Sequence, residues 1–384
     1  MLELLFLLLP VAAAYGWFMG RNSVRSEERK EQQRFSKQYA TGLNLLLSDQ
    51  PDKAVDLFVE LLDVDSETLE THWTLGKLFR RRGEVERAIK IHQNLTSRPN
   101  ITENDRLMAM YELGKDYLAA GIYDRAEQMF SGLQRHKYFR ERSRKNLLEL
   151  YQATHEWDKA IKTALRLTRD DEQIEVVVAQ LFCELAEQEQ GAEAAKHYKK
   201  ALKHDECCVR ASIGLGALYQ QQRQFDTATR YYQRVLVQDK NFVSEILTPL
   251  ENIYEQQGER IAYIEFLHEC VQQDAGTSAV IALSEYIFST QGGDAAERFI
   301  RTTMEAHPTM RGFHQLMDFH IRAADVGNAR ESLKILQMMV AEHIRQRPKY
   351  SCRHCGFSGH TLYWQCPSCK NWGTTKPIVG LDGE

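Results

Sequence analysis

The sequence predicts an all-α protein: a superhelical array of helix pairs, preceded by a membrane-spanning helix and followed by a small metal knuckle. Three observations carry this. An alanine recurs about every 34 residues through most of the chain. An uncharged apolar run, Leu4 to Gly20, opens it. Near the end, two Cys-x-x-Cys pairs stand ten residues apart.

The repeat covers residues 35–343. Its register is set by Ala54, Ala88, Ala126, Ala160, Ala194, Ala228, Ala262, Ala296 and Ala329, with successive steps of 34, 38, 34, 34, 34, 34, 34 and 33. Chance does not space nine alanines this way, and 34 residues is the tetratricopeptide period. Twelve residues before four of them lie Gly42, Gly76, Gly114 and Gly216, where two helices must approach closely. Phe58, Phe130, Tyr198, Tyr232 and Phe266 follow their alanines by four, on the same helix face. The step of 38 holds extra residues around Arg98-Pro99-Asn100-Ile101, a loop between helix pairs.

No single repeat buries its apolar face, so about nine of them stack into a right-handed tetratricopeptide-repeat superhelix with a concave groove. In such arrays the first helix of each repeat lines the groove. Its middle positions here are Tyr39, Trp73, Lys77, Arg80, Tyr111, Lys115, Gln152, Gln220 and Tyr254. Aromatic and cationic groups together suit a peptide-binding surface, and packing between helices explains Trp73 and Tyr111 equally well.

The apolar run of residues 4–20 spans about 25 Å as a helix, the short end of what crosses a bilayer. A cleaved signal peptide is the alternative, with Ala12-Ala13-Ala14 as the processing site. Only Glu3 precedes the run, and no Lys or Arg does, which disfavours that reading. Arg21, Arg25, Arg29, Lys30 and Arg34 follow it, so the positive-inside rule places the body in the cytoplasm. Residues 1–20 are read as a single-pass anchor and 21–34 as a juxtamembrane linker.

The net charge of −4 argues against nucleic acid as a partner. A local basic stretch, Arg135 to Lys145, carries six Lys or Arg and suits either an anionic surface or a solvated helix face. Cys183, Cys207, Cys208 and Cys270 lack disulfide-framework spacing and read as reduced thiols. Cys207 and Cys208 are adjacent, which leaves open a redox role or simple packing. There is no P-loop, dinucleotide fingerprint, HExxH or nucleophile elbow, so no enzyme is expected.

Residues 348–384 form the metal-binding domain. Cys352-Arg-His-Cys355 and Cys366-Pro-Ser-Cys369 are two turns, each aiming two thiolates at one point. Together they make a tetrahedral site for one metal ion, zinc favoured for a structural role and iron possible. Tyr350, Phe357, Tyr363, Trp364 and Trp372 are expected to form a small aromatic core around it. A domain this short needs the metal for its folding energy.

Anchor, repeats and rubredoxin-like tail in this order resemble the lipopolysaccharide assembly protein B family of Gram-negative inner membranes. The opening Met1 to Pro10, the stretch Arg82-Gly83-Glu84-Val85 with Ile91-His92-Gln93, and the tail Leu362-Tyr363-Trp364 through Gly380-Leu381-Asp382-Gly383 carry the resemblance, and the four cysteines match the family's metal ligands. The resemblance implies a non-enzymatic adaptor in the cell inner membrane. It would bring the UDP-3-O-acyl-N-acetylglucosamine deacetylase of lipid A synthesis to the membrane-bound, ATP-dependent zinc protease FtsH, opposed by a second inner-membrane regulator. Two other readings compete: a scaffold gathering lipopolysaccharide synthesis and transport proteins without affecting turnover, and an electron carrier cycling iron at the knuckle.

Overall fold

The computed structural model describes residues 69–99, 101–167 and 173–384, with isolated positions before residue 58. Apart from Trp17 and Met19, the predicted anchor lies outside the described residues. So do the juxtamembrane linker, most of the first repeat and Tyr39. Among the described residues, no helix is long and apolar enough to cross a membrane. The chain forms two compact units, residues 1–150 and 151–384.

The first unit holds α1 (Leu69–Arg81), α2 (Val85–Ser97), α3 (Glu103–Ala119), α4 (Tyr123–Leu133) and most of α5 (Lys137–Ala153). Each second helix is amphipathic for a readable reason. In α2, Ala88, Ile91, His92 and Leu95 recur at helical spacing and are buried. In α4, Ala126, Phe130 and Leu133 do the same. Helix α3 starts where the Thr102 hydroxyl accepts the Asp105 amide at 3.2 Å, and Glu103 and Asp105 place negative charge in its first turn.

The second unit continues the pairs: α6 (Trp157–Ala164), α7 (Gln173–Gln188), α8 (Gly191–His204), α9 (Val209–Gln221) and α10 (Phe225–Gln238). A short 3-10 turn, Lys240–Phe242, leads into α11 (Ser244–Gln257), α12 (Arg260–Gln272), α13 (Thr277–Gln291), α14 (Gly293–Ala306), α15 (Met310–Ala323) and α16 (Asn328–Gln346). One core cluster runs from Val209 to Leu283 and includes Tyr232, Leu250, Ile253 and Leu267.

The repeat register is visible as burial. Ala88, Ala126, Ala160, Ala194, Ala228 and Ala296 are buried. Ala262 is half-buried, and Ala329 is exposed. The last departs because α16 buries none of its residues and leaves Ile335, Leu336, Met338 and Met339 open. A repeat completes its core against the next one, and among the described residues no later helix follows α16.

The close approach expected at Gly216 is real. A Cβ there would stand 2.7–2.8 Å from the Tyr232 ring, well inside contact distance. Tyr232 is the large residue four positions after Ala228, so the glycine and the tyrosine are two halves of one packing solution.

After α16 the chain is no longer helical. Strand β1 (Tyr350–Cys352) pairs antiparallel with β2 (Ser358–Gly359) on one side and β3 (Thr375–Pro377) on the other. Tyr350 stands opposite both Gly359 and Pro377. The protein is therefore mostly helical and ends in a small three-stranded sheet, which corrects the all-α class that the sequence predicts.

Replacing Gly216 by Val should cost about 1–3 kcal/mol, because the added methyls must displace Tyr232 from a filled core. Urea unfolding should show a lower midpoint with an unchanged slope, and an unchanged midpoint would contradict the packing account.

Candidate metal centre and its seat

Each Cys-x-x-Cys pair sits on a turn of the same build. Gly356 N donates to Cys352 O at 3.0 Å, and Cys352 N donates to Phe357 O at 2.7 Å. In the second turn Lys370 N donates to Cys366 O at 2.9 Å, and Cys366 N donates to Asn371 O at 2.9 Å. The residue after each pair turns the chain with a left-handed backbone, Gly356 at φ 78° and Lys370 at φ 60°. Glycine takes that conformation freely, whereas lysine pays about 1–2 kcal/mol for it.

The two turns bring four sulfurs together. Cys352 Sγ lies 3.8 Å from Cys369 Sγ, and Cys355 Sγ lies 3.6 Å from Cys366 Sγ. All four are within 4.8 Å of one another. Metal–sulfur bonds of about 2.3 Å in a tetrahedron require sulfur–sulfur edges of about 3.8 Å, so the set fits one four-coordinate metal ion. Four protein ligands close such a site, as structural centres require. Burial pushes the Cys352 thiol up, but the Thr374 hydroxyl at 3.3 Å and the amides of Cys355 and His354 outweigh it and bring it down to about 6. The Asn371 amide lowers the Cys369 thiol, but burial and the other three sulfurs prevail and push it up to about 11, so the bare cluster keeps part of its protons until a cation displaces them.

The knuckle is not free-standing. Lys376 Nζ donates to Asp239 Oδ2 at 2.7 Å, and Tyr350 Oη donates to Glu245 Oε1 at 2.7 Å. Burial opposes the charge on Asp239, yet Lys376 and Asn241 hold its carboxyl below the ordinary range. Trp364 stacks on Phe242 with centroids 5.6 Å apart, and the Arg210 guanidinium lies 5.9 Å over its ring. Gln152 Oε1 accepts from Trp372 Nε1 at 3.0 Å and from Gln365 Nε2 at 3.1 Å. The following tail continues the seat. Met310 N donates to Leu381 O at 2.8 Å, and the Glu384 carboxylate accepts from Ser278 N and Oγ at 2.8 Å and pairs with Arg311.

The expected private aromatic core is therefore divided. Phe357 and Tyr363 meet edge to face at 6.3 Å within the knuckle, whereas Trp364, Trp372 and Tyr350 turn outward to the repeats.

The predicted groove residues fall in two groups. In the first unit, Lys77, Arg80 and Lys115 gather on one carboxylate. Arg80 bonds Glu112 and Asp116 at 2.6 Å each, with Lys77 and Lys115 at 3.5 and 3.9 Å from Glu112. Tyr111 lies beneath Lys115 and accepts from Asn146 at 3.0 Å. Trp73 packs on Leu69, Leu95 and Ala109. In the second unit, Gln152 holds the knuckle. Gln220 accepts from Tyr232 and donates to the Pro249 carbonyl, and buried Tyr254 accepts from Gln233.

Sequence reasoning passed over His92. It stands four residues after Ala88, where other repeats place Phe or Tyr, and is fully buried against Gly76. Its Nδ1 makes a short contact with Asp116, also fully buried, so Arg80, Asp116 and His92 form one polar chain through α1, α2 and α3. The only sign in the sequence was the register itself. Burial raises the Glu112 carboxyl, but Arg80, Lys115 and Lys77 prevail and hold it below its ordinary value. Its contribution to stability is complete above about pH 4.3 and is lost as pH falls through that lower folded value.

Comparison with known proteins agrees with this architecture. Residues 350–377 match the rubredoxin metal binding domain, and residues 180–241 match the tetratricopeptide repeat. The chain is 47% identical over its whole length to all of Lipopolysaccharide assembly protein B of Escherichia coli (strain K12). It is 38% identical, over 98% of both chains, to the protein of that name from Haemophilus influenzae. Among solved structures, a tetratricopeptide repeat protein from Parabacteroides merdae is 13% identical over 66% of this chain and 100% of its own, with a TM-score of 0.34. MamA is 18% identical over 47% of this chain and 96% of its own, with a TM-score of 0.34.

Two outcomes follow. Cys366→Ala should abolish metal binding and the β1–β3 register while keeping the helical circular-dichroism signal, and full metal content in that variant would refute the four-thiolate site. Arg80→Ala should lower stability by about 3–5 kcal/mol in urea unfolding, because buried Asp116 keeps only His92 and buried Glu112 only the more distant Lys77 and Lys115.

Proposed function

The chain belongs to the lipopolysaccharide assembly protein B family, and from that membership we propose that it is a non-enzymatic adaptor that regulates lipopolysaccharide synthesis. In this reading residues 1–20 anchor it in the cell inner membrane, with the repeats and knuckle on the cytoplasmic side. It brings the UDP-3-O-acyl-N-acetylglucosamine deacetylase to the FtsH protease. A second inner-membrane protein opposes it, and other lipopolysaccharide synthesis or transport proteins are further partners.

The observation that carries the reading is identity of 47% running through repeats and knuckle alike, over the full length of a lipopolysaccharide assembly protein. Both matched domain families support it, since one is a repeat and the other a metal-binding module, and neither is a catalytic domain. The physics is compatible. An anchor confines the scaffold to the protease's membrane plane and raises effective concentration without any new contact. A stacked array offers a long surface, and Trp73, Lys77, Tyr111 and Lys115 supply aromatic and cationic groups for a client segment. The metal in this account is zinc in a structural role. Iron in the same four-thiolate site would give a coloured, reducible protein.

The test is the lifetime of the deacetylase after synthesis is stopped, in cells with and without this chain. Depletion should lengthen it several-fold. An unchanged lifetime with altered location of the enzyme would replace the adaptor by a scaffold.

A further inference from the structure

We propose that Cys183 and Cys208 are a redox-modification site, at which a hydroperoxide forms a reversible disulfide that bolts α7 to α9 across two neighbouring repeats. The two sulfurs lie 3.8 Å apart, in van der Waals contact, and both residues are buried. A disulfide needs about 2.0 Å, so the closing movement is under about 2 Å.

Buried cysteines often serve only as small apolar residues. Three features set this pair apart. Cys208 is the N-cap residue of α9 and so stands at the positive end of that helix, although its sulfur caps none of the helix amides. The Cys183 sulfur in contact with it draws the Cys208 thiol down against the opposing effect of burial, whereas burial pushes the Cys183 thiol up. Cys208 is thus the sulfur set to react first. Third, Cys208 is buried but directly follows Glu206 and Cys207, both exposed, so the pair lies just beneath the surface.

The bond also sits beside the knuckle's seat. Gln180 Nε2 lies 3.6 Å from Cys208 Sγ, and its Oε1 is 3.5 Å from Arg210 Nη1. Arg210, paired with Glu184 and Glu187 at 2.8 Å, is the cation over Trp364. Drawing Cys208 toward Cys183 takes the thiol acceptor from Gln180, the side chain that touches Arg210.

The chemistry balances with the peroxide as sole oxidant. The Cys208 sulfur attacks one oxygen of hydrogen peroxide, the O–O bond breaks, and the departing hydroxide takes the Cys208 proton and leaves as water, so that Cys208 becomes a sulfenic acid. The Cys183 sulfur then attacks the Cys208 sulfur. The S–O bond breaks, and the departing hydroxide takes the Cys183 proton as a second water. Two thiols are oxidised, one peroxide is reduced, and a small dithiol reverses the change.

The test uses the full-length, metal-loaded chain in membranes, treated with graded hydrogen peroxide, quenched, unfolded, alkylated and mapped by mass spectrometry. A Cys183–Cys208 cross-linked peptide, lighter by two hydrogens than its parts, should appear before any knuckle thiol is lost and vanish with dithiothreitol. Cys207→Ser should keep the cross-link, and Cys183→Ser should lose it. Two results in the unmutated chain would overturn the proposal. In one, Cys183 and Cys208 stay alkylatable after Cys207 is oxidised. In the other, Cys208 bonds to Cys207 or to a second chain.

Discussion

Four thiolates held within 4.8 Å of one another are the constraint on which the second unit depends. Their mutual repulsion is tolerable only around a cation, and the polypeptide around them has little else to hold it. Its strands have three, two and three residues, too few to stand alone in water. Structural zinc sites contribute on the order of 10–16 kcal/mol to folding. With the two turns locked, β1 acquires partners on both sides, and Trp364, Trp372, Tyr350 and Lys376 are presented together.

That presentation turns a small domain into a clasp. The knuckle and tail touch the Gln152 end of α5, the start of α9, the turn before α11, and the starts of α11, α13 and α15. These points belong to five repeats, the last four of them consecutive, and repeats in such an array otherwise meet only their neighbours. The contacts divide the work by chemistry. The Trp364–Phe242 stack and its Arg210 cover contribute apolar area and about 0.5–1.5 kcal/mol of ring interaction. Lys376–Asp239 and Glu384–Arg311 fix the register, since a misplaced charge there would be left half-buried. The first unit is organised by a different device, the buried chain Arg80–Asp116–His92, with Glu112 collecting the remaining cations.

Much of this was legible before any coordinates, for stated reasons. The alanine register found the helix pairs because a small residue is required wherever two helices cross closely. The cysteine spacing found the metal centre because tight turns and tetrahedral ligation leave few alternatives. What escaped notice lies where a residue departs from its local preference. His155 and Arg223 both hold φ 58° at the turn where Gly83 and Gly121 serve elsewhere, and nothing in their chemistry announces it. Lys370 does the same in the second knuckle turn. His92 takes an aromatic position because Asp116, 24 residues on, supplies the partner that makes burial tolerable. Gln152 reads as a groove residue, and its role in holding a domain more than 200 residues later follows from tertiary structure alone. The adjacent pair Cys207 and Cys208 was the visible thiol signal, yet the structure separates them and sets Cys208 against Cys183.

Hydrogen–deuterium exchange with and without the metal tests the central claim most directly. If the metal builds the clasp and the clasp ties the repeats, a chelator should deprotect residues 350–377 together with the starts of α13 and α15. The amides of Ser278 and Met310, which donate to Glu384 and Leu381, should be among those that lose protection. Faster exchange confined to residues 350–377, with α13 and α15 unchanged, would contradict the account and leave the knuckle a passenger on a self-sufficient array.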